Sequence, residues 1–550
     1  MLDQPGARVL TADPLDASAR RRRTLAWWTF VALALVLLPV FVRLSFDFGV
    51  TWDEKARHKY GEMIWEYLRG LRGRSDFVED GGQLYGGLFD TICAAVERYI
   101  PADRYVVRHA INATFGWVGI VYCGRLAGRL FGQWAGVVAL VLLTISPRYL
   151  ADSMNNPKDL PFAAITIVAL YYISTVSPTW PYLSRSTAAK IVAALAIALN
   201  IRAGALMYLG YLGLLVIAYA LIERHFSWRR LADTTARLAG MSVAVLVLGT
   251  ACWPWAQSSP LTRPIEALLG FAKFPYRADM LFGGTIISSE ALPKSYAPWW
   301  FLVSTPPVVL AGLALASTVG LRARCLPLAL IAAVAAVPIV LVIALGSTLY
   351  DGVRHLLFVY PLLVVLAAWG WTSCLSEGRP GWVRAMAGGL LFAGIVNVVA
   401  FDVRSHPNQT TYFNEIVGGP KGAFGRYPMD YWGNCLLEAV AWSATAAQRS
   451  GRPIVISGEP WQLIQLDAER FHQLSFTLPY RGQHQLDVLL ARGSKANMEG
   501  LANRPGALYR VKTADGAVLC AVFPGPTFAG LEPHLTTPPS DLSAHELLSP

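Results

Sequence analysis

The sequence has few charged residues for its length. Only 15% of its 550 residues are Asp, Glu, Lys or Arg, and 54% are hydrophobic, whereas soluble domains carry about 25% charged residues. Apolar runs of about 17–25 residues, the length that crosses a bilayer as a helix, recur along the chain. Segments of about ten residues with alternating polarity, which a membrane β-barrel needs, are absent. The composition therefore predicts a polytopic α-helical membrane protein.

The sequence also lacks the usual spacings of metal ligands. It contains no His-x-x-x-His or Cys-x-x-Cys pair, and its seven cysteines are scattered, so we predict no dedicated metal cage and no certain cofactor. A divalent metal stays open, but no ligand set can be named. A disulfide between Cys435 and Cys520 is one pairing that spacing alone cannot decide. The net charge of +11 lies in loops, as expected of membrane proteins, and we predict no nucleic-acid partner.

About eleven apolar spans are predicted between Leu25 and Ala400. Basic residues precede the first span, at Arg20–Arg23, and recur in the short loops assigned to the same side, which places the N-terminus in the cytoplasm. We divide the chain into a cytoplasmic tail (1–24), a transmembrane domain (25–401) and an outer domain (402–550). An odd number of spans puts this last domain on the periplasmic side.

The first outer loop, residues 46–108, is predicted to hold two amphipathic helices. In Phe46–Gly70 and just beyond it, apolar side chains follow the three/four spacing of one helical face, which favours a helix lying flat in the membrane interface. They are Ala56, Tyr60, Met63, Ile64, Tyr67, Leu68 and Leu71. A second stretch near Gln83–Ile100 repeats the pattern at Leu84, Leu88, Ile92, Val96 and Tyr99.

The outer domain is predicted to be a small α/β domain with a flexible tail. Its strand-like runs are Pro453–Ser457, Leu486–Leu490 and Ala507–Phe523, and Asp515-Gly516 marks a hairpin turn within the last run.

Charged residues collect at the predicted outer ends of the spans. Charges near a bilayer are costly and tend to be functional. A carboxylate can take the proton of an attacking hydroxyl, and cations can hold a departing phosphate. The candidate carboxylates are Asp53, Glu54 and Asp159, and the candidate cations are Lys158, Arg202, Lys273, Arg277 and Arg354.

Each candidate also has a structural interpretation. Thr51-Trp52-Asp53-Glu54 fits a capping box, T-x-x-E. Asp159 follows a proline and is suited to beginning a helix, and a lipid headgroup would satisfy Arg354. His355 is interpreted as structural or interfacial rather than as a metal ligand. Arg202 is the sharper signal, because it lies in a polar break between two spans.

The order of these motifs resembles the GT-C membrane glycosyltransferases. The shared features are an acidic pair after the first span, interfacial helices in the first outer loop, an N-x-x-D-x-P-like segment before the fourth span, and R-H-L-L-F-V-Y-P entering a late span. The nearest resemblance is to the protein O-mannosyltransferase and lipid A aminoarabinose transferase families, over about residues 25–205 and 345–375. The stretch 412–432 also resembles a segment that follows the last span in bacterial transferases of this kind.

The resemblance implies an inverting transfer of a sugar from a polyprenyl phosphate to an acceptor hydroxyl at the outer face of the bacterial inner membrane. It assigns the base to Asp53 with Glu54 second, acceptor or sugar binding to Asp159, and donor phosphate to Arg354. Substrate binding further includes Lys158, Arg202, His355, Lys273 and Arg277. The sequence does not decide which sugar is transferred or whether the acceptor is a lipid, a protein or a glycan. Membrane lipids are the remaining expected partners.

A transporter or lipid-linked sugar flippase is the alternative function. It would need polar groups at mid-membrane depth, and several predicted spans are nearly free of them.

Overall fold

The computed structural model describes residues 14–77, 82–176, 183–222, 228–272, 274, 276–323 and 325–528. Within them the chain forms twenty α-helices and seven strands. The helices up to the last apolar segment are α1 (Pro14–Ser45), α2 (Glu54–Leu68), α3 (Leu88–Glu97), α4 (Arg104–Phe131), α5 (Gln133–Thr144), α6 (Pro147–Asn155), α7 (Asp159–Ser174), α8 (Arg185–Leu199), α9 (Leu206–Ile222), α10 (Trp228–Leu248), α11 (Arg263–Ala272), α12 (Tyr296–Ser304), α13 (Pro307–Ala323), α14 (Leu326–Leu345), α15 (Tyr360–Leu375) and α16 (Gly381–Arg404). A two-stranded ribbon, β1 (Asp279–Phe282) and β2 (Thr285–Ser288), lies between α11 and α12.

Five helical segments among the described residues are long and apolar enough to cross a membrane. They are Ser18–Ser45, Leu231–Leu248, Leu326–Leu345, Arg354–Leu375 and Gly381–Arg404. Two further pairs, α5 with α6 and α12 with α13, meet the same criteria together but are bent by 67° and 115°. The number of spans by this measure is therefore five, or up to seven.

The predicted count of about eleven spans is not confirmed. Each predicted span contains a helix, but α7, α8 and α9 have only 16, 15 and 17 residues, whereas a span needs about 20. The longer α4 carries Arg125 and Arg129 in its second half, which lowers its hydropathy. The first helix also begins at Pro14, ahead of the predicted start of the span at Leu25.

The predicted helices of the first outer loop exist, and their buried faces match the predicted ones only in part: Tyr60 and Ile64 of α2 are buried as predicted. In α2 the buried set includes Glu54, Arg57 and His58, whereas the predicted apolar residues Ala56 and Leu68 are exposed. In α3 the buried set is Phe89, Asp90, Thr91, Cys93 and Ala94, and Tyr99 beyond it is 80% exposed. The periodicity located the helices, but an apolar face beside a bilayer can point outward to lipid while a polar face packs inward.

A buried ionic network explains why these polar residues also face inward. Asp90 of α3 pairs with Arg57 of α2 and, at 2.8 Å, with Arg108 of α4. Glu97 of α3 contacts His58 of α2 at 3.1 Å and Arg108 at 3.4 Å. These pairs join the three helices into a rigid support, because breaking a buried pair leaves an uncompensated charge and costs about 3–5 kcal/mol.

Beyond α16 the chain forms the predicted α/β domain. Its helices are α17 (Gly419–Ala423), α18 (Cys435–Ser450), α19 (Trp461–Ala468) and α20 (Lys495–Asn503), and its strands are β3 (Ile454–Glu459), β4 (Leu474–Phe476), β5 (Leu486–Leu490), β6 (Tyr509–Lys512) and β7 (Val518–Pro524). The strand order is β4-β3-β5-β7-β6, parallel from β4 to β5 and antiparallel at β7. The β6–β7 pairing is the predicted hairpin, and β4 was not predicted because it has only three residues. Cys435 and Cys520 are not bonded as a disulfide: the Cys520 thiol donates to the Cys435 carbonyl at 3.1 Å.

Candidate active site

Asp53 lies at the N-terminus of α2 and faces two cations. Its Oδ2 atom is 2.9 Å from Nζ of Lys158 and 3.4 Å from Nη1 of Arg354. The three residues come from the first loop, the turn before α7 and the segment before α15. The Asp53 side chain retains 21% exposure, so one edge of the carboxylate is open to a ligand.

Asp159, the first residue of α7, forms the second half of the cluster. Its Oδ1 pairs with Nη1 of Arg202, and its Oδ2 is 3.4 Å from Nη1 of Arg354. The backbone N–H of Asp159 donates to Oδ1 of Asn156 at 3.0 Å, as expected at a helix start. Asp159 therefore begins a helix and bridges two arginines at once, so both interpretations from the sequence hold for its geometry.

Arg354 is the centre of the cluster. Its Nε atom is 3.2 Å from Oδ2 of Asp351, and its guanidinium stacks on the rings of Tyr350 and Trp432, with centroids at 4.7 and 5.3 Å. Within the described part of the chain, no hydrogen bond or ion pair engages its Nη2 atom. The side chain is thus buried and oriented but keeps a donor available.

Arg202 reaches the cluster because the helix between α8 and α9 is broken. The residue is extended and pairs with Tyr85 as an isolated antiparallel bridge. Next to this bridge, a Cβ on Gly86 would lie 2.0 Å from the carbonyl oxygen of Asn200, so only glycine allows the first loop to approach the break. The Tyr85 ring makes cation–π contacts with both residues: its centroid is 5.0 Å from Nζ of Lys158 and 5.7 Å from Cζ of Arg202.

An apolar cavity of about 300 Å³ opens beside the cluster. Arg202, Tyr85 and His355 line its polar end. The remaining walls are almost entirely apolar and come from α9, α11 and α14, with Met207, Leu268, Phe271, Leu341, Val342 and Leu345 among them. The cavity therefore joins a charged end to a lipid-like lining.

Two predicted site residues, Glu54 and Arg277, lie apart from the cluster. Glu54 is buried on the other side of the helix start: its Oε2 accepts from the Thr51 N–H at 2.8 Å and its Oε1 is 2.9 Å from Nε2 of His109. This is the reach-back contact of a capping box, and Glu54 has no contact with Arg354 or Lys158 among the described residues. Arg277 is exposed and is not part of the cluster within that same set. Lys273 lies outside the described residues.

The carboxylates of the cluster differ in acidity. Burial alone would raise the pKa of Asp53, but the charges of Lys158 and Arg354 outweigh it and hold the pKa below its ordinary value. Burial raises the pKa of Asp351, and its pairing with Arg354 only partly offsets this. Asp53 is therefore ionised at neutral pH and available as a proton acceptor.

The cluster does not fit a bound metal. Among the described residues no group of three or more His, Cys, Asp or Glu side chains could hold a metal ion. Its three carboxylates, at Asp53, Asp159 and Asp351, pair with Lys158, Arg202 and Arg354, and the point that all three share is occupied by the Arg354 guanidinium.

Sequence reasoning missed several side chains of the site. Asp351, Tyr85 and Trp432 contact the predicted cations but carry no motif of their own. Asp351 has one usable signal, since it precedes the predicted Arg354 by three residues. It also adopts a left-handed φ of 55°, which is uncommon for a residue other than glycine.

Comparison with solved structures returns membrane glycosyltransferases. The chain is similar to ArnT from Cupriavidus metallidurans bound to undecaprenyl phosphate, with 15% identity and a TM-score of 0.47 over 91% of this chain and 98% of that one. It is also similar to AglB from Archaeoglobus fulgidus in complex with an inhibitory peptide and a dolichol-phosphate, with 11% identity and a TM-score of 0.44 over 84% and 70%. AftD from mycobacteria, an arabinofuranosyltransferase, matches with 13% identity and a TM-score of 0.41 over 89% and 40%.

All three are GT-C glycosyltransferases, the class that the sequence motifs resemble. No protein-family model matches the sequence, and no curated protein matches it. Because likeness at these identities and TM-scores carries no inference about activity, the proposed function rests on the residues of this chain.

Proposed function

We propose that this protein is an inverting glycosyltransferase of the bacterial inner membrane that moves a sugar from a polyprenyl phosphate to an acceptor hydroxyl. The observation that carries the proposal is the contact of one carboxylate, Asp53, with both Lys158 and Arg354, in a cluster whose Arg202 lines the polar end of an apolar cavity. A base, a set of phosphate-binding cations and a lipid-sized lining are the three parts that this reaction requires.

The reaction is a single displacement. Asp53 accepts the proton of the acceptor hydroxyl, whose oxygen forms a bond to the anomeric carbon. The bond from that carbon to the phosphate oxygen breaks, and the polyprenyl phosphate leaves with the electron pair. Attack on the face opposite the phosphate inverts the anomeric carbon.

The cations stabilise the charge that develops on the departing phosphate. Arg354 is the principal ligand, because its planar guanidinium is held by stacking and keeps Nη2 available, and arginine binds phosphate oxygens in a fixed fork. Arg202 and Lys158 flank it. Three carboxylates balance three cations in the cluster, so a bound phosphate must take over contacts that Asp53 and Asp159 make. That exchange frees Asp53 from Lys158 and Arg354 and makes it a stronger base.

The cavity accounts for the lipid part of the donor. Its apolar walls suit isoprenoid units, and its polar end, at Arg202 and His355, suits the phosphate. We place acceptor or sugar binding at Asp159. The second carboxylate predicted as catalytic, Glu54, is instead proposed to hold the helix start that carries Asp53, because Thr51 and His109 occupy it.

Mass spectrometry of envelope glycolipids and glycoproteins tests the proposal and identifies the acceptor. Cells that lack the protein are expected to lose a hexose or pentose from one class of molecule and to accumulate the polyprenyl-phosphate-linked sugar. A transport assay with the purified full chain in proteoliposomes distinguishes a glycosyltransferase from the alternative, a flippase. Movement of the lipid-linked sugar across the bilayer without acceptor, together with an unchanged set of glycoconjugates in the cells, would identify a flippase and contradict the proposal.

A further inference from the structure

The C-terminal α/β domain is bound to the short segment that leads into Asp53. This segment, Phe48–Trp52, connects α1 to α2. The N–H of Val50 donates to Oδ1 of Asp467 in α19 at 3.2 Å, and Nη1 of Arg470 donates to the carbonyl of Phe48 at 3.3 Å. Val50 also packs with Leu466 in a small buried apolar cluster.

The same domain holds the end of the segment next to Asp53. The indole N–H of Trp52 donates to the Tyr431 carbonyl at 2.9 Å, and the guanidinium of Arg492 lies 5.1 Å from the Trp52 ring. Asn155 links the two parts, because its Nδ2 donates to the Gly49 carbonyl at 3.0 Å and to Oδ1 of Asn434 at 2.7 Å.

The domain also contacts the opposite half of the cluster. Trp432, which is 1% exposed, stacks on Arg354 and donates its indole N–H to Oδ1 of Asp152 at 3.0 Å. The C-terminal domain therefore contacts Arg354 directly and contacts Trp52, the residue that precedes Asp53.

We propose that the C-terminal domain positions the two reacting groups, with Asp467 as the positioning residue that fixes Val50 and, through it, Asp53. This inference rests on the proposed function for its catalytic consequence, but its structural part stands alone. It gives the domain a role in the transfer step itself.

The chemistry at Asp467 fits a role in holding this segment. Its side chain is wholly buried, and among the described residues Oδ2 has no hydrogen-bond partner, so the bond from the Val50 N–H to Oδ1 is what offsets the cost of burying the carboxylate. Oδ1 accepts from Val50, and a Cβ on Gly49 would lie only 3.3 Å from Oδ2. The carboxylate thus lies directly against the backbone of Gly49 and Val50.

Hydrogen–deuterium exchange on the full chain tests the structural part. In Asp467→Ala the Val50 amide loses its acceptor, so peptides covering residues 47–53 are expected to exchange at least about tenfold faster. Glu469→Ala is the matched control. Glu469 lies two residues after Asp467 and its side chain is exposed, so its replacement should leave this exchange unchanged. Asp467→Asn retains an acceptor oxygen and is expected to restore most of the protection.

Kinetics test the catalytic part. Asp467→Ala is expected to lower kcat for sugar transfer about 10- to 100-fold, the scale of a misplaced reacting group, with donor KM changed less than threefold. Asp467→Asn should recover kcat. Should Asp467→Ala fail to fold, Arg470→Ala carries the same test at Phe48, with a smaller increase in exchange.

Unchanged exchange in Asp467→Ala overturns the inference whatever the activity. Faster exchange with unchanged kcat also overturns it, because the segment would then be held without consequence for transfer. If the wild-type protein transfers no sugar, the proposed function fails, and the exchange data still decide whether Asp467 holds the segment.

Discussion

At the scale of single residues, Arg354 connects the parts of the site. Through Nη1 and Nε it meets carboxylates from three parts of the chain, at Asp53, Asp159 and Asp351. A flat, delocalised cation can do this, whereas a lysine ammonium is a compact point charge on a flexible stem.

Replacing Arg354 by lysine should therefore weaken donor binding while the charge is kept. We expect the dissociation constant for polyprenyl phosphate to rise at least about tenfold in Arg354→Lys, since the bidentate geometry and the stacking on Trp432 are lost. Isothermal titration calorimetry of the detergent-solubilised protein measures it. Arg426→Lys, at an exposed position, is the control. Equal affinity in all three proteins would remove Arg354 from the phosphate site.

The sequence predicts much of this cluster but not every member of it. Asp53, Asp159 and Arg354 are predictable because charges at the ends of apolar spans are costly and tend to be functional, and Arg354 contacts both carboxylates. Glu54 is predicted on the same ground but contacts His109 instead of the cluster, because adjacent residues at a helix start point in different directions. Trp432 is not predictable, since nothing in the sequence connects it to Arg354 before the chain folds.

At the scale of elements, the apolar helices approach one another through glycine. At the crossing of α13 and α15, a Cβ on Gly370 would lie 2.0 Å from the carbonyl oxygen of Gly312. Small residues at such crossings allow backbone contact, which is a main source of helix association in membranes.

Alanine at this crossing should therefore destabilise the bundle. Gly370→Ala is expected to cost about 1–3 kcal/mol, the scale of overpacking, and to lower the apparent Tm in detergent. Gly389→Ala in α16 is the matched control, because a Cβ there meets nothing within 4 Å. Equal Tm values for the two variants would mean that α13 and α15 do not pack as described.

Helix positions were predictable at this scale and helix faces were not. A run of apolar residues locates α14 or α16 directly, because length and hydropathy are local properties. The buried face of α2 depends on Asp90 and Glu97 of α3 and on Arg108 of α4, which supply charges that its own pattern does not contain.

At the scale of the whole molecule, two domains share one buried contact region. Asp467 of the C-terminal domain contacts the N–H of Val50, which is 417 residues away in sequence. Such a contact is invisible in composition or periodicity. The sequence therefore predicted the domain as a separate unit and left its role open.

The acidity of Asp467 makes this contact region sensitive to pH. Burial is the main cause that raises its pKa to about 7, against the opposing charges of Arg470 and His109 and with Glu54 adding to the rise. In the unfolded chain the pKa is about 3.9, so between about pH 4 and pH 7 the folded state binds a proton that the unfolded state does not. Stability from this group is therefore fully present below about pH 4, and it is lost as pH rises from about 4 to about 7.

Thermal unfolding in detergent should show this dependence. From about pH 5 to pH 8 the wild-type protein is expected to lose up to about 3 kcal/mol more stability than Asp467→Asn, whose amide does not titrate. Parallel losses of apparent Tm in the two proteins would show that Asp467 does not titrate in this range.

Sugar transfer by Asp53→Asn is the most direct measurement of the central claim, that Asp53 beside Arg354 is the reacting centre. The amide keeps the size of the side chain but cannot accept the hydroxyl proton, so we predict turnover lower by about 10²–10⁴-fold, with expression and polyprenyl-phosphate binding retained. Lys55→Gln, at an exposed position two residues further on, should transfer normally. Wild-type turnover in Asp53→Asn would contradict the account and assign the base elsewhere.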